Sequence, residues 1–155
     1  MGEFNLDKTQ VMVEFNLIGD EFPIEYVTKM LGIEPTEAYC KGDVIPRRYN
    51  PNVTYTKNHY RIETSWSLST GYQESYDVQE QMTQILEQLK SKAPIINQLK
   101  EEYNLVCVFV IVIKMENGYT PGLHFDNELI EFANSIKAEF DIDLYANPYY
   151  ENFDE

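Results

Sequence analysis

The hydrophobic pattern of the chain centres on residues 105–115 (LVCVFVIVIKM), which form its longest apolar run. Most of these residues are β-branched or aromatic and favour the pleated surface of a strand over a helix. Both alternating sets of side chains are apolar, so we expect both faces of the strand to be covered. The run is far shorter than the roughly 20 residues of a membrane helix. It therefore predicts a central strand.

Shorter periodic stretches surround this strand. Apolar and polar residues alternate as in half-buried strands at 11–18, 60–68 and 140–145, and a short strand is expected within 36–41. Apolar residues at helical spacing predict amphipathic helices at 20–31, 77–103 and 126–140, with Pro94 breaking or restarting the second one.

The order of these elements predicts an α+β domain. At 155 residues the chain suits one domain, with a core at about 11–146 and an acidic, aromatic tail at 147–155. Because most strands have one polar face, we expect a mainly antiparallel sheet with helices packed on one side. This is a split β-α-β or ferredoxin-like arrangement with extra elements. A parallel α/β domain is the alternative.

Charge and cysteine content narrow the functional classes. The formal net charge of −14 argues against nucleic-acid binding and against docking on anionic lipid, whereas it permits a basic protein partner. Acidity for solubility alone is the simpler explanation. Cys107 lies inside the apolar run and Cys40 is the only other cysteine, so no disulfide framework is expected. With no signal-peptide pattern at the start, we expect a cytoplasmic protein.

Several short motifs carry a family resemblance. They are FNLIGD (residues 15–20), LGIEPTEAYCKGD (31–43), WSLST (66–70) and IDLY (142–145). In this order and spacing they resemble a bacterial family known as domain of unknown function 4279, over about residues 11–146. The resemblance implies a small bacterial α+β protein with no established reaction and no catalytic residues to transfer. Some family members are encoded in toxin–immunity settings.

A basic, tyrosine-rich segment at 41–61, which we call the basic loop, is the most unusual local feature. It holds five of the twelve Lys and Arg residues and one acid, so the rest of the chain has a net charge of −18 (7 − 25). Arg binds carboxylate or phosphate through paired hydrogen bonds, and Tyr supplies a rigid contact surface. The candidate binding residues are Lys41, Asp43, Arg47, Arg48, Tyr49, Tyr55, His59, Arg61 and Trp66.

Two structural explanations compete with a binding site here. The cations of the loop could pair with the chain's own surplus carboxylates. Trp66 could anchor the core with its N–H bonded, rather than line a pocket beside Lys41 and Asp43. Asp141 and Asp143 share one face of a predicted strand, as metal ligands do, but such positions are ordinarily solvated.

Motifs for nucleotide, zinc and esterase chemistry are missing from the sequence, and we predict no catalytic residue, metal or cofactor. The leading hypothesis is a non-enzymatic protein-interaction module, and its sharper form is an immunity-type protein that neutralises a toxin partner. The alternative is a small-molecule or anion-binding domain that uses the basic loop. An enzyme of unrecognised chemistry is a third hypothesis.

Overall fold

The computed structural model describes residues 8–47, 49–54 and 56–147. These residues form an α+β structure with a mostly antiparallel sheet, which confirms the predicted class. The elements are β1 (Gln10–Gly19), α1 (Ile24–Leu31), β2 (Glu37–Tyr39), β3 (Thr64–Ser69), β4 (Gln73–Glu74), α2 (Val78–Leu89), α3 (Ala93–Tyr103), β5 (Val106–Met115), α4 (Asn127–Ser135) and β6 (Glu139–Ala146). The predicted acidic tail lies outside the described residues beyond residue 147.

The sheet has the strand order β2-β3-β1-β5-β6, and the short β4 pairs with the start of β1. Neighbouring strands are antiparallel except β5 and β6, which are parallel and joined through α4. The apolar run therefore forms an interior strand, as predicted. Since β5 and β6 pair directly, their β-α-β unit is contiguous and differs from the split arrangement expected from the element order.

One core lies between the sheet and the four helices. Phe15 of β1 pairs with Phe109 of β5, and their ring centroids are 5.2 Å apart. Phe132 of α4 packs edge-on against Phe109. The buried positions of α1, α2 and α3, such as Leu31 and Ile85, join the same cluster. All four helices therefore cover one face of the sheet, as the sequence predicts. None of the described helices is long and apolar enough to cross a membrane.

The helix ends follow their sequence signals. Asp77 caps α2 by accepting a hydrogen bond from the N–H of Gln79, and Asp126 caps α4 through the N–H of Leu129. Gly32 ends α1 in the left-handed conformation, at φ 69°, which glycine adopts without steric cost. Pro94 lies in the first turn of a separate helix, α3, so it restarts the predicted stripe.

The strand predicted at 60–68 is shorter than expected and has different burial. β3 begins at Thr64, while Ile62 is 83% exposed. Ser65 and Ser67, predicted to face solvent, are buried. Their short side chains lie between the larger residues of the flanking strands β2 and β1, and those neighbours shield them.

The second face of β5 is not covered by a helix, contrary to the sequence-based expectation. Val108 and Val112 are 7% and 6% exposed, yet neither belongs to the core cluster. Close packing among side chains of adjacent strands shields them, as is usual inside a sheet. We call this surface the helix-free face. Its residues are Gln10, Met12, Glu14, Asn16, Ile18, Glu37, Tyr39, Ser65, Ser67, Ser69, Glu74, Val106, Val108, Val110, Val112, Lys114, Glu139, Asp141, Asp143 and Tyr145.

A hydrogen bond from the buried Trp66 gives a test of the core. The Trp66 Nε1–H donates to the Thr28 hydroxyl at 3.1 Å, and Trp66 is fully buried. Thr28→Val keeps the side-chain volume but leaves the indole N–H unpaired. We expect it to lower the free energy of unfolding by about 1–3 kcal/mol. Thr28→Ser retains the hydroxyl and should cost less. Urea unfolding followed by the fluorescence of this single tryptophan measures both, and equal losses would contradict the assigned bond.

Candidate functional site

The base of the basic loop is a short antiparallel ladder. The N–H of Ile45 donates to the carbonyl of His59 at 2.7 Å, and the N–H of Arg61 donates to the carbonyl of Asp43 at 2.7 Å. Gly42 completes the ladder by donating to the Arg61 carbonyl at 2.8 Å, with a φ of 90° that favours glycine. The loop therefore leaves and rejoins the fold at one point, beside β2 and β3.

Asp43 serves the turn at this base. Its carboxylate accepts a hydrogen bond from the N–H of Cys40 at 2.8 Å, and its own N–H donates to the Cys40 carbonyl at 3.0 Å. Asp43 also borders a shallow depression with Pro23 and Tyr39. Its carboxylate is thus committed to local structure at the rim of a concave surface.

Two cations of the loop have partners in the chain itself. The Lys41 ammonium lies 2.5 Å from the Asp20 carboxylate, and this hydrogen bond and charge raise the pKa of Lys41. The Arg61 guanidinium lies over the Tyr39 ring, 4.0 Å from its centroid. Part of the positive charge of the loop is therefore balanced internally, as the simpler explanation predicts.

The other candidate residues are spread out. Tyr49 is 91% exposed, His59 is exposed and Arg47 is half-buried. Arg48 and Tyr55 lie outside the described residues. Trp66 is buried in the core on the helix side of the sheet, so it does not line a pocket with Lys41 and Asp43, and that part of the predicted site is wrong. Its indole already fills core space, which is why it is unavailable to a ligand.

The helix-free face carries a second candidate site, which sequence reasoning missed. Strand register places side chains in rows across it. One row runs Glu37, Ser67, Asn16, Val108 and Glu139. The next row, in the order β3-β1-β5-β6, is Ser69, Glu14, Val110 and Asp141. The row after it, in the order β1-β5-β6, is Met12, Val112 and Asp143. A central strip of valines is therefore bordered by one carboxylate, Glu14, on the β1 side and by three carboxylates on the β6 side.

Glu14 is a carboxyl group on this face whose pKa is shifted by its surroundings. Partial burial raises the pKa of Glu14 above its ordinary value, and the negative charge of Glu37 raises it further. Hydrogen bonds from Asn16 and Ser69 act in the opposite direction. Glu14 and Glu37 therefore interact although their strands are not adjacent, because β3 between them carries only serines on this face.

The described residues contain no group of three His, Cys, Asp or Glu side chains placed to hold a metal ion. Asp141 and Asp143 both lie on the helix-free face, as their spacing predicts, and both are exposed. Their carboxylates are available for contact with an external positive charge.

Comparison with known proteins identifies the family. A family model described as Domain of unknown function (DUF4279) matches residues 9–147. The chain belongs to this family. The DUF4279 match includes every strand and helix of the described residues, and it contains both the basic loop and the helix-free face. This confirms the resemblance seen in the sequence motifs. Neither the curated proteins nor the solved structures include a match to the chain.

The environment of Glu14 predicts a pH-dependent gain in stability from Glu14→Gln. Folding raises the pKa of this carboxyl, so the folded state disfavours its charged form. The carboxyl therefore destabilises the folded state as the pH rises through 4.5, the ordinary pKa of a glutamate, and above it. At pH 7 we expect the Gln variant to be more stable by up to about 1 kcal/mol, the scale of partly exposed charge interactions. The gain should vanish at pH 3.

Glu101→Gln, on the exposed side of α3, is the matched control. It removes the same charge without the burial or the neighbouring carboxylate, so its stability should match the wild type at both pH values. Thermal unfolding of the three proteins at pH 3 and pH 7 measures the effect. A Glu14→Gln variant less stable than wild type at pH 7 would show that the environment of Glu14 favours its charge.

Proposed function

We propose that this chain is a non-enzymatic protein-interaction module that binds a basic protein partner on its helix-free face. The observation that carries the proposal is the combination on this face of an apolar strip, Val108 to Val112, with Glu14 on one side and three carboxylates of β6 on the other. Apolar centres with polar rims are characteristic of protein interfaces. The carboxylates on both edges fit a partner of opposite charge.

Long-range electrostatics support a basic partner. With a formal net charge of −14, the molecule attracts positively charged proteins over a distance set by the ionic strength. Such steering raises the association rate, while the contacts made by the valine strip slow dissociation. Val106, which is 51% exposed at one end of the strip, adds apolar area that becomes buried in such a complex.

An immunity-type protein that neutralises a toxin is the sharper form of this proposal. It is supported by the toxin–immunity settings that the family resemblance implies, and by a surface that suits tight binding of a basic enzyme. We propose the cytoplasm as the compartment. Cys40 and Cys107 are free thiols, as reducing conditions permit. Burial raises the pKa of the Cys107 thiol to about 12, which keeps it protonated and unreactive.

An anion-binding role for the basic loop is the second candidate. The exposed His59 and Tyr49 favour it, as do the shallow depressions that Lys41 and Asp43 border. Against it, Lys41 and Arg61 already contact Asp20 and Tyr39. This role implies that phosphate or sulfate raises the melting temperature of the wild type but not of an Arg47→Glu/Arg48→Glu variant.

Charge reversal on the helix-free face tests the main proposal. Asp141→Lys/Asp143→Lys places positive charge beside the valine strip, at an edge strand that tolerates lysine. Partners are first captured on the tagged chain from its host at low and high salt. For a captured basic protein, we expect the variant to weaken the complex at least about tenfold, with slower association at higher salt for the wild type.

Glu101→Lys/Glu131→Lys is the control, because it changes the net charge by the same amount on exposed helix positions. It should reduce only the association rate, and only modestly. Surface plasmon resonance separates the two rate constants. If both variants weaken the complex equally, net charge alone governs binding and the helix-free face is not the interface.

A further inference from the structure

On the β1-β2-β3 side of the helix-free face, short serines alternate in register with longer polar side chains, and we call this group the depression. Ser67 of β3 lies between Asn16 of β1 and Glu37 of β2, and Ser69 lies opposite Glu14. The hydroxyl groups of Ser65 and Ser67 are 3.3 Å apart on its floor. Because serine is much shorter than glutamate or asparagine, the row of serines is recessed between taller polar side chains.

Asn16 leaves a hydrogen-bond acceptor unused in this depression. The residue is only 8% exposed, and its Oδ1 atom has no hydrogen-bond partner among the described residues. Buried amide oxygens nearly always accept a hydrogen bond, since an unmet acceptor is destabilising. The amide side of Asn16 already interacts with Glu14. The oxygen exposes less than 1 Å², so an outside donor reaches it only when the side chains around it shift.

The two carboxylates of the depression also lack a cation. Among the described residues, no ion pair includes Glu14 or Glu37, although their charges repel each other. The Arg61 guanidinium is stacked on Tyr39, two residues along β2 from Glu37, and the Lys114 ammonium of β5 lies over the Tyr72 ring. A positive group bound between the two carboxylates would relieve their repulsion.

We propose that this depression binds the guanidinium group of an arginine side chain from the basic partner. It presents two carboxylates and an amide oxygen, all of which accept hydrogen bonds. A guanidinium has five N–H donors in one plane and no acceptor, so it can satisfy all three groups at once. The ammonium of lysine is a compact, strongly hydrated charge and matches a planar, spread set of acceptors less well. This inference rests on the proposed function and names the group recognised.

Titration with N-acetyl-arginine amide tests the site directly. Backbone amide shifts of the ¹⁵N-labelled chain are recorded, with N-acetyl-lysine amide as the competing cation. We expect saturable shifts centred on Asn16, Ser67 and Ser69, with a dissociation constant of about 1–10 mM, as for one small cation. The lysine derivative should bind at least about threefold more weakly.

Two sets of variants separate a specific site from general attraction. Glu14→Gln/Glu37→Gln should weaken arginine binding about tenfold, because both charge-assisted contacts are lost. The pair Glu101→Gln/Glu131→Gln removes equal charge from helix positions and should leave the binding unchanged. Glu37→Gln alone, at an exposed edge-strand position, covers the case in which the double variant fails to fold. Shifts scattered over the acidic surface, equal for both cations and insensitive to the variants, would overturn the proposal.

The protein complex provides the second part of the test. If the partner places an arginine here, Glu14→Gln/Glu37→Gln also weakens the complex, and substituting one partner arginine by lysine has a similar effect. A complex that is weakened by Asp141→Lys/Asp143→Lys but not by Glu14→Gln/Glu37→Gln would leave the interaction function intact and refute the arginine site. Arginine binding without any effect on the complex would also refute the assignment to the partner.

Discussion

The antiparallel pairing of β1 with β5 is the constraint on which the rest of the molecule depends. Nine residue pairs, from Gln10 with Lys114 to Ile18 with Val106, fix which side of the sheet each side chain faces. The pairing of Phe15 with Phe109 puts the two rings in contact on the helix side. A register slip of one residue would move both rings to the other face and expose the core. Core packing therefore also fixes the arrangement of Asn16, Glu14 and the valines on the opposite face.

Much of the fold was predictable because its signals are local. Alternation in β1, the apolar run of β5 and the caps at Asp77 and Asp126 each act over a few residues. The helix-free face was not predictable, because its composition depends on which strands become neighbours. Glu14, Val110 and Asp141 are far apart in sequence and meet only through the strand order. Apolar residues on both sides of a strand suggested two faces covered by other layers, whereas here one set forms a strip that no helix covers.

The candidate site was predicted only in part, because the missed features depend on contacts between residues that are distant in the sequence. Local composition identified the basic loop, yet it could not show that Lys41 and Arg61 are held by Asp20 and Tyr39. Trp66 was assigned both a core and a pocket role, and only its burial decides for the core. Asp141 and Asp143 of β6 were interpreted by themselves as ordinarily solvated positions. Their collective effect arises from cross-strand spacing, which a single sequence does not display.

The serines of β3 affect how the binding preference of this surface could differ between related proteins. Side chains at positions 65, 67 and 69 point away from the core, while Trp66 and Leu68 between them anchor it. A larger residue at position 67 would fill the depression, and a charged one would invert its preference, without disturbing the packing beneath. Under the proposed function, positions 65, 67 and 69 of this strand would influence which partner binds, while positions 66 and 68 support the fold. Related proteins can evolve new binding preferences there while they inherit the same scaffold.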